Sequence, residues 1–154
     1  MQQPPHAGRQ HNTRQIIVLE QDREFGGRAP KGPLPQLDLD VPPDVKGAQR
    51  ASANTTIAIV ASDVSLSPVE LKRVAIMAAD GFARALRPVH TPFDGDIVFA
   101  LSTARRPLPE PRPRALMRIG MIAADCLARA IARGVYEARS LGAMKCYRDF
   151  FGGE

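Results

Sequence analysis

The run Thr55-Thr56-Ile57-Ala58-Ile59-Val60-Ala61 constrains this chain more than any other stretch. β-Branched residues fill it from Thr55 to Val60, and Ile57, Ile59 and Ala61 alternate with smaller residues. That pattern predicts a short, largely buried strand. A Ser-Ala-Asn turn precedes it, and Asn54 suits a turn because its amide can bond its own backbone. Thr55 thus stands where a loop enters a core strand, a place that holds a side chain firmly yet leaves it reachable. Inside a chain, a threonine hydroxyl is a poor nucleophile. At a chain terminus its own α-amino group can serve as base, with an ordinary pKa of about 7.7–8.0. The Thr55 hydroxyl could create that terminus by attacking the carbonyl of Asn54, giving an ester that water hydrolyses. The plain alternative is that Asn-Thr-Thr opens a strand and does no chemistry.

The rest of the chain decides how much weight the alternative carries. Residues 1–15 are mostly polar, with Pro4-Pro5, and are expected to be disordered. Residues 16–54 read as a Pro-rich connector ahead of the cleavage point. They hold one apolar run, Ile16-Ile17-Val18-Leu19, and the turn Glu24-Phe25-Gly26-Gly27. Residues 55–154 form the nucleophile-bearing α/β part. Ser67-Pro68-Val69-Glu70 predicts a helix start with an N-cap, a proline at the first helical position and the glutamate of a capping box. Leu71, Val74, Ala75, Ala78, Phe82, Ala85 and Leu86 give its buried stripe, and Pro88 ends it. His90 to Asp96 is a tight loop in which Gly95 is free to take a positive φ. Ile97 to Leu101 is a second buried strand ending at Ser102-Thr103, and Ala104 to Pro113 an exposed link. A second helix is expected from about Arg114 to Ala138, burying Leu116, Ile119, Gly120, Ala123, Leu127, Ala130 and Ile131. The tail from Met144 is weakly patterned. Two strands with helices cannot close a core alone, so the sheet needs more strands. Either Ile16–Leu19 joins it, or another segment or chain completes it.

Composition narrows the function classes. With 154 residues, no Trp and little aromatic content, the core must be built mostly from Ala, Val, Ile, Leu and Met. The net charge of +5 is carried mainly by arginines, many of them between Arg105 and Arg133. No aromatic stacking platform or nucleic-acid motif accompanies them, so a solvated helix face is the better account, and binding to nucleic acid at physiological salt is not expected. Cys126 and Cys146 are too few and too badly placed for a disulfide framework or a metal site. We read them as reduced thiols in a cytoplasmic protein. Neither a membrane span nor a signal peptide is visible.

Chemistry concentrates on Thr55, Asp94, Asp96 and His90. Thr55 starts one strand and Asp94-Gly95-Asp96 starts the other. If the strands are parallel neighbours joined by the first helix, both starts lie at one end of the sheet. A carboxylate there could orient the hydroxyl and hold the α-ammonium. Asp-Gly-Asp also suits a turn, a cap or a metal ligand pair, turn well ahead of metal. His90, before Thr91-Pro92, reads as a loop residue before it reads as a base.

Two stretches together, Asn54 to Asp63 and Arg87-Pro88-Val89-His90-Thr91-Pro92-Phe93-Asp94-Gly95-Asp96, resemble the nucleophile half of the DmpA-type peptidase family. That family contains the L-aminopeptidase/D-esterases, the β-peptidyl aminopeptidases and the 6-aminohexanoate-oligomer (nylon oligomer) hydrolases. The Glu-Phe-Gly-Gly turn and the connector resemble the stretch before the cut in those precursors. The resemblance covers about residues 20–145. It implies a four-layer α/β/β/α fold of the N-terminal-nucleophile-like, DmpA/ornithine acetyltransferase type, with the sheet incomplete in this chain. It implies self-cleavage of Asn54–Thr55, with Thr55 as the new terminal nucleophile and Asp94 and Asp96 as its acidic neighbours. No cofactor and no metal are implied. The β-peptidyl aminopeptidase branch is expected to carry Ser as nucleophile with Ser and Glu at the paired positions. Thr with Asp-Gly-Asp therefore resembles the nylon-oligomer hydrolases more.

Family members also carry a large preceding segment that supplies most of the sheet and a Lys, an Asn and a Tyr of the active site. This chain is therefore expected to be the C-terminal part of a hydrolase that needs its other half, or else a catalytically silent remnant or interaction module. The partners expected are a peptide or small amide substrate, the complementary N-terminal segment and further copies in a homo-oligomer, with no nucleic acid and no membrane.

Overall fold

The computed structural model describes residues 55–86, 89–92, 94–143 and 145–150. Within them the order is β1 (Ile57–Val64), α1 (Pro68–Ala85), β2 (Ile97–Arg106), α2 (Arg112–Glu137) and a short α3 (Tyr147–Phe150). The chain is α/β, as expected. The readings made for residues 1–54 and for Pro88 fall outside the described residues.

The strands pair in parallel, Ile57 opposite Ile97 and onward to Ser62 opposite Ser102. Their starts therefore lie at the same end, which is what the candidate site requires. β2 runs past the expected end at Thr103. After Ser62 the register shifts and Val64 stands opposite Arg106. Ser102 holds the irregularity together. Its hydroxyl donates to the Val64 carbonyl at 2.6 Å and accepts from the Ala104 N–H at 3.0 Å. Ala104 takes φ 52° there, an unusual choice for a residue with a Cβ. The segment expected to be an exposed link, Ala104 to Pro113, thus begins as strand through Arg106 and ends in the first turn of α2, and it buries Leu108.

The strands were expected to be buried, and this is corrected. Strand side chains alternate between two faces. Ala58, Val60, Val98 and Ala100 turn toward the helices and pack on the buried clusters. The larger residues turn the other way: Ile57 and Ile59 are 69% and 66% exposed, and Ile97, Phe99 and Leu101 share that face. The helices cover only the small-residue side.

α1 starts as the sequence predicts. The Ser67 hydroxyl accepts from the Glu70 N–H, and the Glu70 carboxylate accepts from the Ser67 N–H at 2.8 Å. The Ser67 N–H first, then the Arg112 guanidinium and the Ser67 hydroxyl, which donates to the same carboxylate, hold the Glu70 carboxyl below its ordinary 4.5. Arg112 reaches Glu70 at 2.7 Å, so one carboxylate ties together the first turns of both helices. α1 buries Val74, Ala78, Gly81, Phe82 and Ala85, with Leu86 just beyond its end.

α2 begins two residues earlier than expected. It buries Gly120, Ala123, Ala124, Leu127 and Ala132. Ala130, placed on the buried stripe by spacing, is exposed. Small residues let the helices approach closely. A Cβ on Gly81 would meet the Ala124 carbonyl and lie 2.9 Å from the Leu127 Cβ; one on Gly120 would run into the Met77 side chain. Gly81→Ala is therefore expected to destabilise the fold by about 1–3 kcal/mol through overpacking, more than the helix-propensity gain of up to ~1 kcal/mol. Urea denaturation checks the sign, since a more stable variant would mean the helices are free to part. Among the described residues, no helix is long and apolar enough to cross a membrane.

Candidate active site

The parallel ladder brings the two strand starts into contact. Thr55 is exposed and sits just ahead of β1. The backbone of the next residue is held by both its polar groups at the start of the neighbouring strand. The Thr56 N–H donates to Asp96 Oδ1 at 2.8 Å, and the Thr56 carbonyl accepts from the Ile97 N–H at 3.0 Å. Asp96 is half-buried, and its Oδ2 is shielded from solvent. A carboxylate so placed fixes the backbone that carries Thr55 and brings negative charge beside it. The bond is charge-assisted and so stronger than an ordinary one.

Asp94 has a different task in the same loop. Its Oδ2 accepts from the Thr91 N–H at 2.9 Å, and its own N–H donates to the Thr91 carbonyl at 3.0 Å. These reciprocal bonds close a tight turn, so the turn reading of this aspartate is realised. Between the two carboxylates, Gly95 lies directly against Thr55. A Cβ there would be 2.5 Å from the Thr55 hydroxyl oxygen.

Gly95 does not use its freedom to take a positive φ. Within the loop that role falls to His90, at φ 56°. Histidine is among the residues that tolerate this region better than most. The His90 ring stands edge-on to the buried Phe82, with centroids 6.3 Å apart. It therefore braces the loop against the core, consistent with a loop residue rather than a base. Asn54 lies outside the described residues.

Thr55, Asp96 and the Asp94 loop thus share one end of the sheet. Sequence reading missed two participants. One is Thr56, whose backbone is the handle that Asp96 grips. The other is Gly95, treated as a turn residue when its contact is with Thr55. The usable signal was the glycine's place between two carboxylates, opposite a strand start.

Comparison with known proteins matches the chain to one family. The model for Peptidase family S58 matches residues 10–147. A protein named "uncharacterized aminopeptidase" from Mycobacterium tuberculosis (strain H37Rv) is 44% identical, over 84% of this chain and 40% of its own length. One of the same description from Mycobacterium leprae is 42% identical over 67% of this chain and 31% of its own. A 6-aminohexanoate-oligomer endohydrolase from Kocuria sp. (strain KY2) is 40% identical over 38% of this chain and 16% of its own. The chain thus spans at most about two-fifths of the length of these relatives.

Proposed function

This chain belongs to peptidase family S58, and from that premise we propose that it is the nucleophile-bearing part of a self-processing hydrolase of amide bonds. Thr55 is the nucleophile in this proposal. Its hydroxyl attacks the carbonyl carbon of Asn54, the Asn54–Thr55 C–N bond breaks, and an ester to Thr55 forms. Breaking that bond frees the α-amine, which takes the hydroxyl proton, and water then hydrolyses the ester, restoring the Thr55 hydroxyl and leaving Asn54 with a carboxylate. In the second round the amine takes the hydroxyl proton as oxygen attacks a substrate amide; the amine product leaves protonated, and water releases the acid from the acyl-enzyme. Asp96 holds the Thr55–Thr56 backbone in place, and Asp94 shapes the loop that brings Asp96 and Gly95 to the nucleophile. Both add negative charge that favours the α-ammonium between turnovers.

The observation that carries this reading is the meeting of Thr55 with Gly95, and of the Thr56 N–H with Asp96, at one end of a parallel pair. The substrate class we propose is a peptide or short amide, after the aminopeptidase and oligomer-hydrolase names of the relatives. The architecture we propose is four-layered, α/β/β/α. Its support is the uncovered apolar face of Ile57, Ile59, Ile97, Phe99 and Leu101, which a second sheet would cover. The same uncovered face favours a second reading, in which the chain by itself is a silent module that acts only when a complementary segment is docked.

The intact mass of the purified chain after incubation near neutral pH tests the proposal. The expected products are a species beginning at Thr55 and its N-terminal complement. If the chain stays whole both alone and with the remainder of a family member supplied, Thr55 is not a self-processing nucleophile. Cutting only with the remainder present supports the second reading for the isolated chain.

A further inference from the structure

We infer that Gly95 is a positioning residue, and that its missing side chain sets where the Thr55 hydroxyl sits. The inference rests on Thr55 being the nucleophile. Four described glycines besides Gly95 show what a glycine can be for. Gly81 and Gly120 would drive a Cβ into the partner helix, so they serve helix packing. Gly134 faces open space, and Gly142 takes φ 59°, a backbone reason for glycine. Gly95 fits neither class. Its φ lies outside the left-handed region, so the backbone does not demand glycine. The three atoms nearest a Cβ at this position all belong to the Thr55 side chain: Oγ1 at 2.5 Å, Cγ2 at 3.4 Å and Cβ at 3.5 Å.

The Oγ1 distance is far below any contact a real Cβ makes, while the other two are close to ordinary. The conflict is thus with the hydroxyl oxygen alone. The surrounding bonds decide how it would be resolved. Asp96 and Ile97 hold the Thr56 backbone by its N–H and its carbonyl, so the Thr55 main chain has little freedom to retreat. The side chain must instead leave its staggered well. That carries the hydroxyl away from the place where the strand start presents it. Displacement of a reacting atom by about 1 Å costs on the order of 10²-fold in rate.

The test uses the full chain and reads stability as well as chemistry. Gly95→Ala is introduced into two backgrounds that cannot self-cleave. Thr55→Val keeps the shape of threonine, and Thr55→Ala removes both γ atoms. The expected result is a Tm lowered by on the order of 5 °C or more in the valine background and nearly unchanged in the alanine background. Failure of the valine-background variant to fold, with the alanine-background variant folded, supports the same conclusion. Equal losses in both backgrounds, failure of both to fold, or no loss in either would overturn it, because the cost would then not involve the Thr55 side chain. In the unaltered Thr55 background, Gly95→Ala is expected to slow self-cleavage by about 10²-fold, and cleavage at the unaltered rate would also overturn it. If the parent chain is never cut, the nucleophile assignment fails, while the Tm comparison still decides whether Gly95 positions Thr55.

Discussion

Thr55→Ala is expected to leave a folded chain that is never cut between Asn54 and Thr55. Self-cleavage needs an oxygen nucleophile on that residue, and alanine supplies none. The loss in cleavage, and in amide hydrolysis by the assembled protein, should reach at least about 10³-fold, as for other enzymes stripped of a covalent nucleophile. Stability should change by no more than about 0.5 kcal/mol, because Thr55 is exposed and the bonds that anchor the strand start run through the Thr56 backbone. Thr55→Ser keeps a hydroxyl and should still be cut. Intact mass follows the cut, and thermal unfolding shows that the fold is retained. Continued cleavage of the alanine variant would remove Thr55 from the mechanism altogether.

The second large effect is structural. Phe82→Ala should cost about 3–5 kcal/mol, a large part of the roughly 5–15 kcal/mol that holds a typical domain together. Phe82 is 1% exposed and is one of the two largest side chains fully buried among the described residues. It sits with Ala85, Leu86 and Leu127, and Ala58, Val98 and Ile131 close around it. The alanines among these neighbours are too short to reach into the space it leaves, and the larger side chains are held by the helices and strands that carry them. The damage should also reach the candidate site. The His90 ring rests against Phe82, and His90 opens the loop that carries Asp94, Gly95 and Asp96. Urea unfolding should show the loss in midpoint without a change in slope. A cost under 1 kcal/mol would mean that this cluster is not what holds the helices to the sheet.

Much of this arrangement is legible in the sequence. Ser67-Pro68-Val69-Glu70 announces its helix because capping depends on residues three apart, all of them local. The apolar spacing of α1 also survives, since a helix shows its buried side through a period that no strand shares. The parallel pairing follows from a helix lying between two short apolar runs. What the sequence does not reveal is which face of the strands the helices cover. Ile57 and Ile59 alternate with Ala58 and Val60, so both faces are apolar and a period of two cannot choose between them. The choice is made at a distance: helices drawn together through Gly81 and Gly120 form a flat layer, and the small face of the sheet fits beneath it. Ala130 was misplaced for a related reason, as an alanine fits either side of a helix. The extension of β2 depends on the Ser102 hydroxyl standing in for regular ladder bonds, which spacing cannot express. Gly95 was misread because a glycine in a loop has two possible reasons, and only the position of Thr55 on the neighbouring strand separates them.

The register of the two strands has a wider consequence. Ile57 opposite Ile97 is the pairing that sets Thr56 against Asp96 and Thr55 against Gly95. A slip of one residue would turn the side chains of a strand to the opposite face. It would also part the candidate nucleophile from its acidic loop. Under the proposed function, a misregistered sheet and an inactive site are a single event. If the chain matures by cutting itself at Thr55, the cut acts as an inspection stamp, and only a copy whose sheet has assembled correctly can receive it.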